Sequence, residues 1–248
     1  MFPIRDHNPS ERTPFVTYGL IAANILVYLL MLPAFGDDQL LYQVYGDFAL
    51  VPGWVTNGGS PHTLVTSVFL HGGFWHLAGN MLFLWVFGDN MEDAFGHIRF
   101  LAFYLAAGVG AGLVHVLAAP ASMIPTVGAS GAIAGVLGGY LLLYPRAKID
   151  VLIIFIVFFK VFPIPAWIAL GAWFALQLFN GAGADPDTGG VAYWAHVGGF
   201  FFGFLFTLPY WMRQGGTGYW RQTHGQPPHA EAKYELTRSN IPRVRRRR

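Results

Sequence analysis

The chain has 248 residues, of which 54% are hydrophobic, 17% aromatic and only 11% charged. A soluble domain carries about 25% charged residues, so this composition excludes an ordinary soluble enzyme and indicates a polytopic membrane protein. The absence of cysteine excludes disulfides, thiol nucleophiles and cysteine-bound zinc, and no nucleic-acid partner is predicted.

Six apolar runs of spanning or near-spanning length follow one another along the chain. They predict an all-α membrane domain, a six-transmembrane-helix bundle over residues 15–211. A short tail, residues 1–14, precedes this domain, and a polar, basic tail that we expect to be disordered, residues 212–248, follows it. The runs lie at about 15–35, 74–91, 98–119, 127–144, 163–180 and 191–211.

Two connecting segments are unusual. The first outer loop, residues 36–73, is long enough to predict short helices and a functional or partly buried role. The run from Val151 to Phe162 is separated from the fifth predicted helix by Lys160 and by a Pro163-Ile-Pro165 break. An interfacial or partly inserted segment fits this run better than a seventh span.

The basic residues indicate the orientation of the helices. If the N-terminus is inside, all 15 Lys and Arg residues fall in the two tails or in inner loops. Cytoplasmic loops collect Lys and Arg, so we expect both termini to be cytoplasmic. Together with the lack of a transit peptide, this pattern predicts an integral protein of a bacterial plasma membrane.

Small residues recur every four positions in two of the predicted helices. In a helix this spacing forms a smooth stripe that another backbone can approach closely. We therefore expect these two helices to pack stripe against stripe. The helix-packing glycines are Gly131 and Gly135 in the fourth run and Gly199 and Gly203 in the sixth.

Four polar residues share one predicted depth in the bilayer. Ser130 and His196 each stand beside a small-residue stripe, and each lies roughly 25 Å from the cytoplasmic boundary at about 1.5 Å of rise per residue. His76 and Asn80, spaced i and i+4, face one side of the second helix near the same level. Polar groups at such depth are costly, so they are candidates for function.

These residue types fit nucleophilic catalysis. Imidazole can take the proton of a serine hydroxyl, which makes Ser130 a candidate nucleophile and His196 its candidate general base. His76 and Asn80 could donate hydrogen bonds to the oxyanion that forms on a substrate carbonyl. Asp185 or Asp187, in the loop before the sixth helix, could be a third member of a catalytic triad. A Ser-His dyad is the favoured interpretation. A lone serine or histidine in a span more often serves helix packing, and the joint occurrence favours chemistry.

The chain resembles the rhomboid family of intramembrane serine proteases over roughly residues 60–210. The resemblance rests on Gly128-Ala-Ser-Gly131, on Ala195-His with the glycines that follow it, and on His76-Leu-Ala-Gly-Asn80. It implies a rhomboid-like six-helix bundle with a long first outer loop. It also implies that Ser130 is the nucleophile, His196 the base, and His76 with Asn80 the oxyanion donors.

The resemblance further implies cleavage of single-span or other transmembrane substrates within the lipid bilayer, near its outer face. No metal or organic cofactor is implied, and the His-Glu-x-x-His motif of metalloproteases is missing. Two positions depart from the family pattern. His62-Thr63 stands near the place of a Trp-Arg pair, and Ala134 stands where some members carry an aromatic residue that stacks on the histidine.

Two other functions remain open at this level. A catalytically silent member of the same fold could bind transmembrane helices as a scaffold. A small transporter could use the polar layer as a transport site, although the internal repeats and discontinuous helices expected of a transporter are not found in the sequence.

Overall fold

The computed structural model describes residues 2–155, 158–185 and 190–232, and this part of the chain is mostly helical. Each of the six apolar runs contains a helix. Short 3-10 turns at Leu32–Gly36 and Ser67–Phe69 extend or connect the helices. The helices are α1 (Phe15–Met31), α2 (Asp38–Phe48), α3 (Pro52–Thr56), α4 (Thr63–Thr66), α5 (Phe74–Phe95), α6 (His97–Ala118), α7 (Ser130–Leu143), α8 (Ala166–Gly183), α9 (Tyr193–Arg213) and α10 (Thr217–Thr223).

Two helical segments of the described residues are long and apolar enough to cross a membrane by length and composition, Phe15–Gly36 and His97–Ala118. The helix Ser130–Leu143 is apolar but shorter. The arrangement of six spanning helices therefore stays a prediction.

A three-stranded antiparallel sheet departs from the predicted all-α class, which is wrong in this respect. The strands are β1 (Phe2–Asp6), β2 (Lys148–Phe155) and β3 (Phe158–Pro165), in the order β1-β2-β3. The described residues of the ambiguous run between α7 and α8 thus lie in the two paired strands of a β-hairpin. This run is rich in Ile, Val and Phe, which favour strands, and Pro163 and Pro165, which follow it at the end of β3, disfavour a helix.

The first strand carries the N-terminal tail into the fold. Arg5 and His7 contact the carboxylate of Asp150 on β2 at 2.6 and 2.8 Å. Between them, the Asp6 side chain is buried and accepts hydrogen bonds from Asn90 and Tyr140. Burial, with a smaller contribution from a neighbouring carboxylate, raises the pKa of Asp6 to about 7.

The start of the C-terminal tail is ordered, which differs from the predicted disorder. The indole of Trp220, on α10, donates a 2.8 Å hydrogen bond to the carbonyl oxygen of Leu142 at the end of α7. The amide of Arg146 donates to the carbonyl oxygen of Gly225 at 2.8 Å. The rest of this tail, residues 233–248, lies outside the described residues.

The outer loop is bound to the segment that leads into α7. The His62 ring contacts the carbonyl oxygen of Asp47 at 2.8 Å, near the place where the Trp-Arg pair is missing. Leu50 pairs with Thr126 as an isolated β-bridge. The amide of Gly128 donates to the carbonyl oxygen of Ser67 at 2.9 Å. The loop therefore supports the turn that carries Ser130.

Helix α7 forms the centre of the core, where most of its side chains are buried. A Cβ atom on Gly199 would overlap the carbonyl oxygen of Gly131, and one on Gly203 would overlap that of Gly135. The backbones of α7 and α9 thus approach at a distance that side chains would prevent. This approach brings the first turn of α7 beside the first turn of α9.

Candidate active site

Ser130 is the first residue of α7 and follows a turn that only glycine suits. Gly128 has a φ of +131°, in the region that favours glycine. A Cβ atom there would lie 2.7 Å from the His76 Nε2 atom. The missing side chain at Gly128 therefore lets the imidazole of His76 approach the backbone just before the serine.

His196 faces Ser130 from the first turn of α9. Its Nε2 atom lies 2.8 Å from Ser130 Oγ. This distance is that of a hydrogen bond in which the hydroxyl donates to an unprotonated ring nitrogen. The geometry is the one that a serine needs for activation by a base.

Gln177, on α8, completes a chain of hydrogen bonds that the sequence analysis missed. Its Oε1 atom lies 2.8 Å from Nδ1 of His196, and the side chain is only 8% exposed. Its Nε2 donates to the carbonyl oxygen of Trp173 at 3.4 Å, so the amide oxygen points at the histidine. The available signal was a side-chain amide within a helix that is otherwise apolar except for Asn180 near its end.

These contacts fix the tautomer of the histidine. An amide oxygen can only accept a hydrogen bond. Nδ1 of His196 therefore carries a hydrogen and donates to the amide oxygen of Gln177. The opposite nitrogen, Nε2, then has the lone pair that faces Ser130. The ring of Trp173 lies beside the imidazole, with 5.8 Å between the centroids. Trp173 thus supplies an aromatic neighbour from α8, although the residue four after the serine is Ala134.

His76 and Asn80 line the same cavity as Ser130. The amide of Gly72 donates to Nδ1 of His76 at 3.4 Å, which leaves Nε2 as the nitrogen that carries a hydrogen. The Nδ2 atom of Asn80 is buried and has no partner among the described residues. Two side-chain donors therefore remain available beside the serine, as an oxyanion site requires. Their oxyanion role stays a prediction.

The candidate third triad members do not reach this geometry in the described part of the chain. Asp185 is exposed in the loop after α8. Asp187 lies outside the described residues. The position behind the imidazole is held instead by Gln177, an uncharged acceptor.

A cavity of about 590 Å³ joins these groups. Ser130, His196, His76 and Asn80 all line it, and most of its other walls are apolar or glycine. Its volume is in the range of ligand sites, which suits a short stretch of extended peptide. The described residues include no cluster of His, Asp or Glu that could hold a metal ion.

A family model described as Rhomboid domain matches residues 58–213, which include all four predicted site residues. The chain belongs to the rhomboid family. The Saccharomyces cerevisiae protein named Rhomboid protein 1, mitochondrial, is 35% identical over 79% of this rhomboid and 56% of its own length. The human Presenilin-associated rhomboid-like protein, mitochondrial, is 30% identical over 79% of this rhomboid and 48% of its own length.

A bacterial relative is named as a protease. Rhomboid protease GluP of Bacillus subtilis is 35% identical over 52% of this rhomboid and 24% of its own length. The rhomboid thus spans about half, or less, of the length of these three relatives.

The predicted bacterial plasma membrane is wrong, because the yeast and human relatives are named as mitochondrial proteins. Charge asymmetry indicates which ends of the helices share one side of a membrane. It carries no information about which membrane that is.

Proposed function

We propose that this rhomboid is an intramembrane serine endopeptidase that cleaves transmembrane protein substrates. The observation that carries the proposal is the 2.8 Å contact between Ser130 Oγ and His196 Nε2 in a cavity lined by further hydrogen-bond donors. Membership of a family that includes a protein named as a protease supports it.

In the proposed first step, Ser130 Oγ bonds to the substrate carbonyl carbon while its proton moves to Nε2 of His196. The carbonyl electron pair moves to oxygen, where His76, Asn80 and the amides at the start of α7 donate hydrogen bonds. Collapse of this intermediate breaks the C–N bond, and Nε2 returns the proton to the leaving amine. Water repeats the sequence on the acyl ester and frees Ser130.

Gln177 acts in this proposal as a positioning residue. Its carbonyl oxygen holds the Nδ1–H of His196, so the ring keeps the tautomer that can accept the serine proton. When Nε2 is protonated, the ring becomes a cation and the same hydrogen bond becomes charge-assisted. Gln177 therefore stabilises the transition state more than the resting state.

The test is cleavage of a single-span reporter by the purified rhomboid in lipid. Ser130→Ala and His196→Ala are each expected to lower the rate by about 10⁴-fold or more. Asn180→Ala removes an exposed amide from α8 and serves as the matched control, with an unchanged rate. Cleavage that survives Ser130→Ala would refute the proposal. A reporter that co-purifies uncut with every form would favour the scaffold function.

A further inference from the structure

A second cleft lies between α6 and α9, at the end of these helices far from Ser130. Its volume is about 420 Å³. Each helix contributes residues spaced i, i+3, i+4 and i+7, which is the spacing of one helix face. The residues that matter here are Arg99, Ala102 and Ala106 on α6, and Phe206, Tyr210 and Arg213 on α9.

The cleft exists because the two helices pack tightly at one end only. Near the candidate active site, a Cβ atom on Gly198 would lie 2.5 Å from Cβ of Val114. Further along, one on Gly110 would lie 2.6 Å from the ring of Phe202. Beyond this point Ala106 and Ala102 of α6 are exposed, and their small side chains leave the space between the helices open.

Both arginines stand at the same end of this cleft. Arg99 is in the first turn of α6 and Arg213 is the last residue of α9, and the helices run in opposite directions. Neither guanidinium has a carboxylate partner among residues 2–155, 158–185 and 190–232. The cleft lining contains no acidic residue. Two unneutralised cations therefore border an apolar groove.

This combination matches an amphiphile with an anionic head. Guanidinium groups bind phosphate through paired N–H donors. Basic pockets between membrane helices, on the side that collects Lys and Arg, suit anionic headgroups. The alanines and aromatic walls suit an acyl chain. A free phosphate ion would use the arginines but would leave the apolar groove unfilled.

We propose that the cleft binds one anionic phospholipid, with its phosphate between Arg99 and Arg213 and an acyl chain against Ala102 and Ala106. The site is separate from the proposed catalytic cavity, and its occupancy does not depend on proteolysis. It gives this family member a lipid site between its third and sixth apolar helices.

The first test is native mass spectrometry of the purified full chain titrated with phosphatidylglycerol or phosphatidylcholine. Phosphatidylglycerol is expected to bind in preference to phosphatidylcholine. Arg99→Gln and Arg213→Gln should each weaken its binding about fivefold, and the double variant about thirtyfold. Arg221→Gln removes an exposed arginine of α10 that does not line the cleft and should leave binding unchanged. An equal loss in this control would overturn the proposal.

A second variant tests whether lipid binding needs the apolar groove as well as the charge of the two arginines. The double variant Ala102→Phe, Ala106→Phe fills the cleft and keeps both arginines. Unchanged reporter cleavage or an unchanged melting temperature shows that this variant still folds. Binding of phosphatidylglycerol should be lost. Retained binding would mean that charge alone attracts the lipid and would overturn the proposal. Full displacement of the lipid by inorganic phosphate would identify free phosphate as the ligand instead.

Discussion

Gln177 offers the sharpest test of how the candidate site works. Gln177→Ala removes the acceptor that lies 2.8 Å from Nδ1 of His196. A neutral hydrogen bond contributes about 1 kcal/mol, and one to a charged group about 1.5–3 kcal/mol. The bond is neutral at rest and charge-assisted once the ring is protonated. The difference of about 0.5–2 kcal/mol predicts that kcat falls about 2- to 30-fold.

The assay is steady-state cleavage of the single-span reporter, with kcat and KM determined separately. KM should stay unchanged, because Gln177 lies on the side of the imidazole away from Ser130. Gln177→Glu replaces the amide acceptor by a carboxylate. This variant should restore kcat at high pH. The acidic limb of its pH profile should move to higher pH, because a carboxylate stabilises the protonated imidazole, which cannot accept the serine proton.

Two results would refute this reasoning. Asn180→Ala changes an exposed amide three residues further along α8, and an equal fall in its kcat would mean that α8 is merely sensitive to substitution. A Gln177→Ala variant with raised KM and unchanged kcat would mean that the residue acts on substrate binding. A structural role alone would not move the pH profile of Gln177→Glu.

Three further predictions concern other parts of the molecule. Asn80→Ala should lower kcat of reporter cleavage about 10²- to 10³-fold at unchanged KM, and a rise in KM alone would contradict an oxyanion role. Gly199→Val should lower the free energy of unfolding by about 1–3 kcal/mol or more in a melt, whereas Gly171→Ala, with nothing within 4 Å of its Cβ, should be neutral. Because the pKa of Asp6 is raised from 3.8 to about 7, folding favours its protonated form, and stability should fall as pH rises through this window. The free energy of unfolding should fall by about 4 kcal/mol at most across this window, and Asp6→Asn should abolish the fall. Equal melting temperatures of the unsubstituted chain at pH 5 and pH 8 would contradict this account.

The sequence by itself determined the class of the protein and much of its local structure. Low charge and long apolar runs indicated a membrane protein, and a helix lies in each of the six runs. The periodic glycines predicted a close approach of two helices, because helical spacing is a local property that one chain segment carries. The motifs around Ser130, His76 and His196 indicated the rhomboid family, which the family match confirms.

Other features depend on contacts between distant segments. β1 pairs with β2 across most of the chain, and no local pattern in the N-terminal tail specifies that partner. The hairpin run was ambiguous because short apolar runs suit a strand or a buried helix equally well. The sheet became evident only in the tertiary structure.

The role of Gln177 at the candidate site also depends on a contact between distant segments. The sequence places Gln177 in the fifth predicted helix, but its contact with His196 depends on how α8 packs beside α9. The 2.8 Å bond to His196, the neighbouring ring of Trp173 and the resulting tautomer arise from that packing alone. Sequence spacing fixes which residues share a helix face, and only the tertiary structure decides which face of another helix they meet.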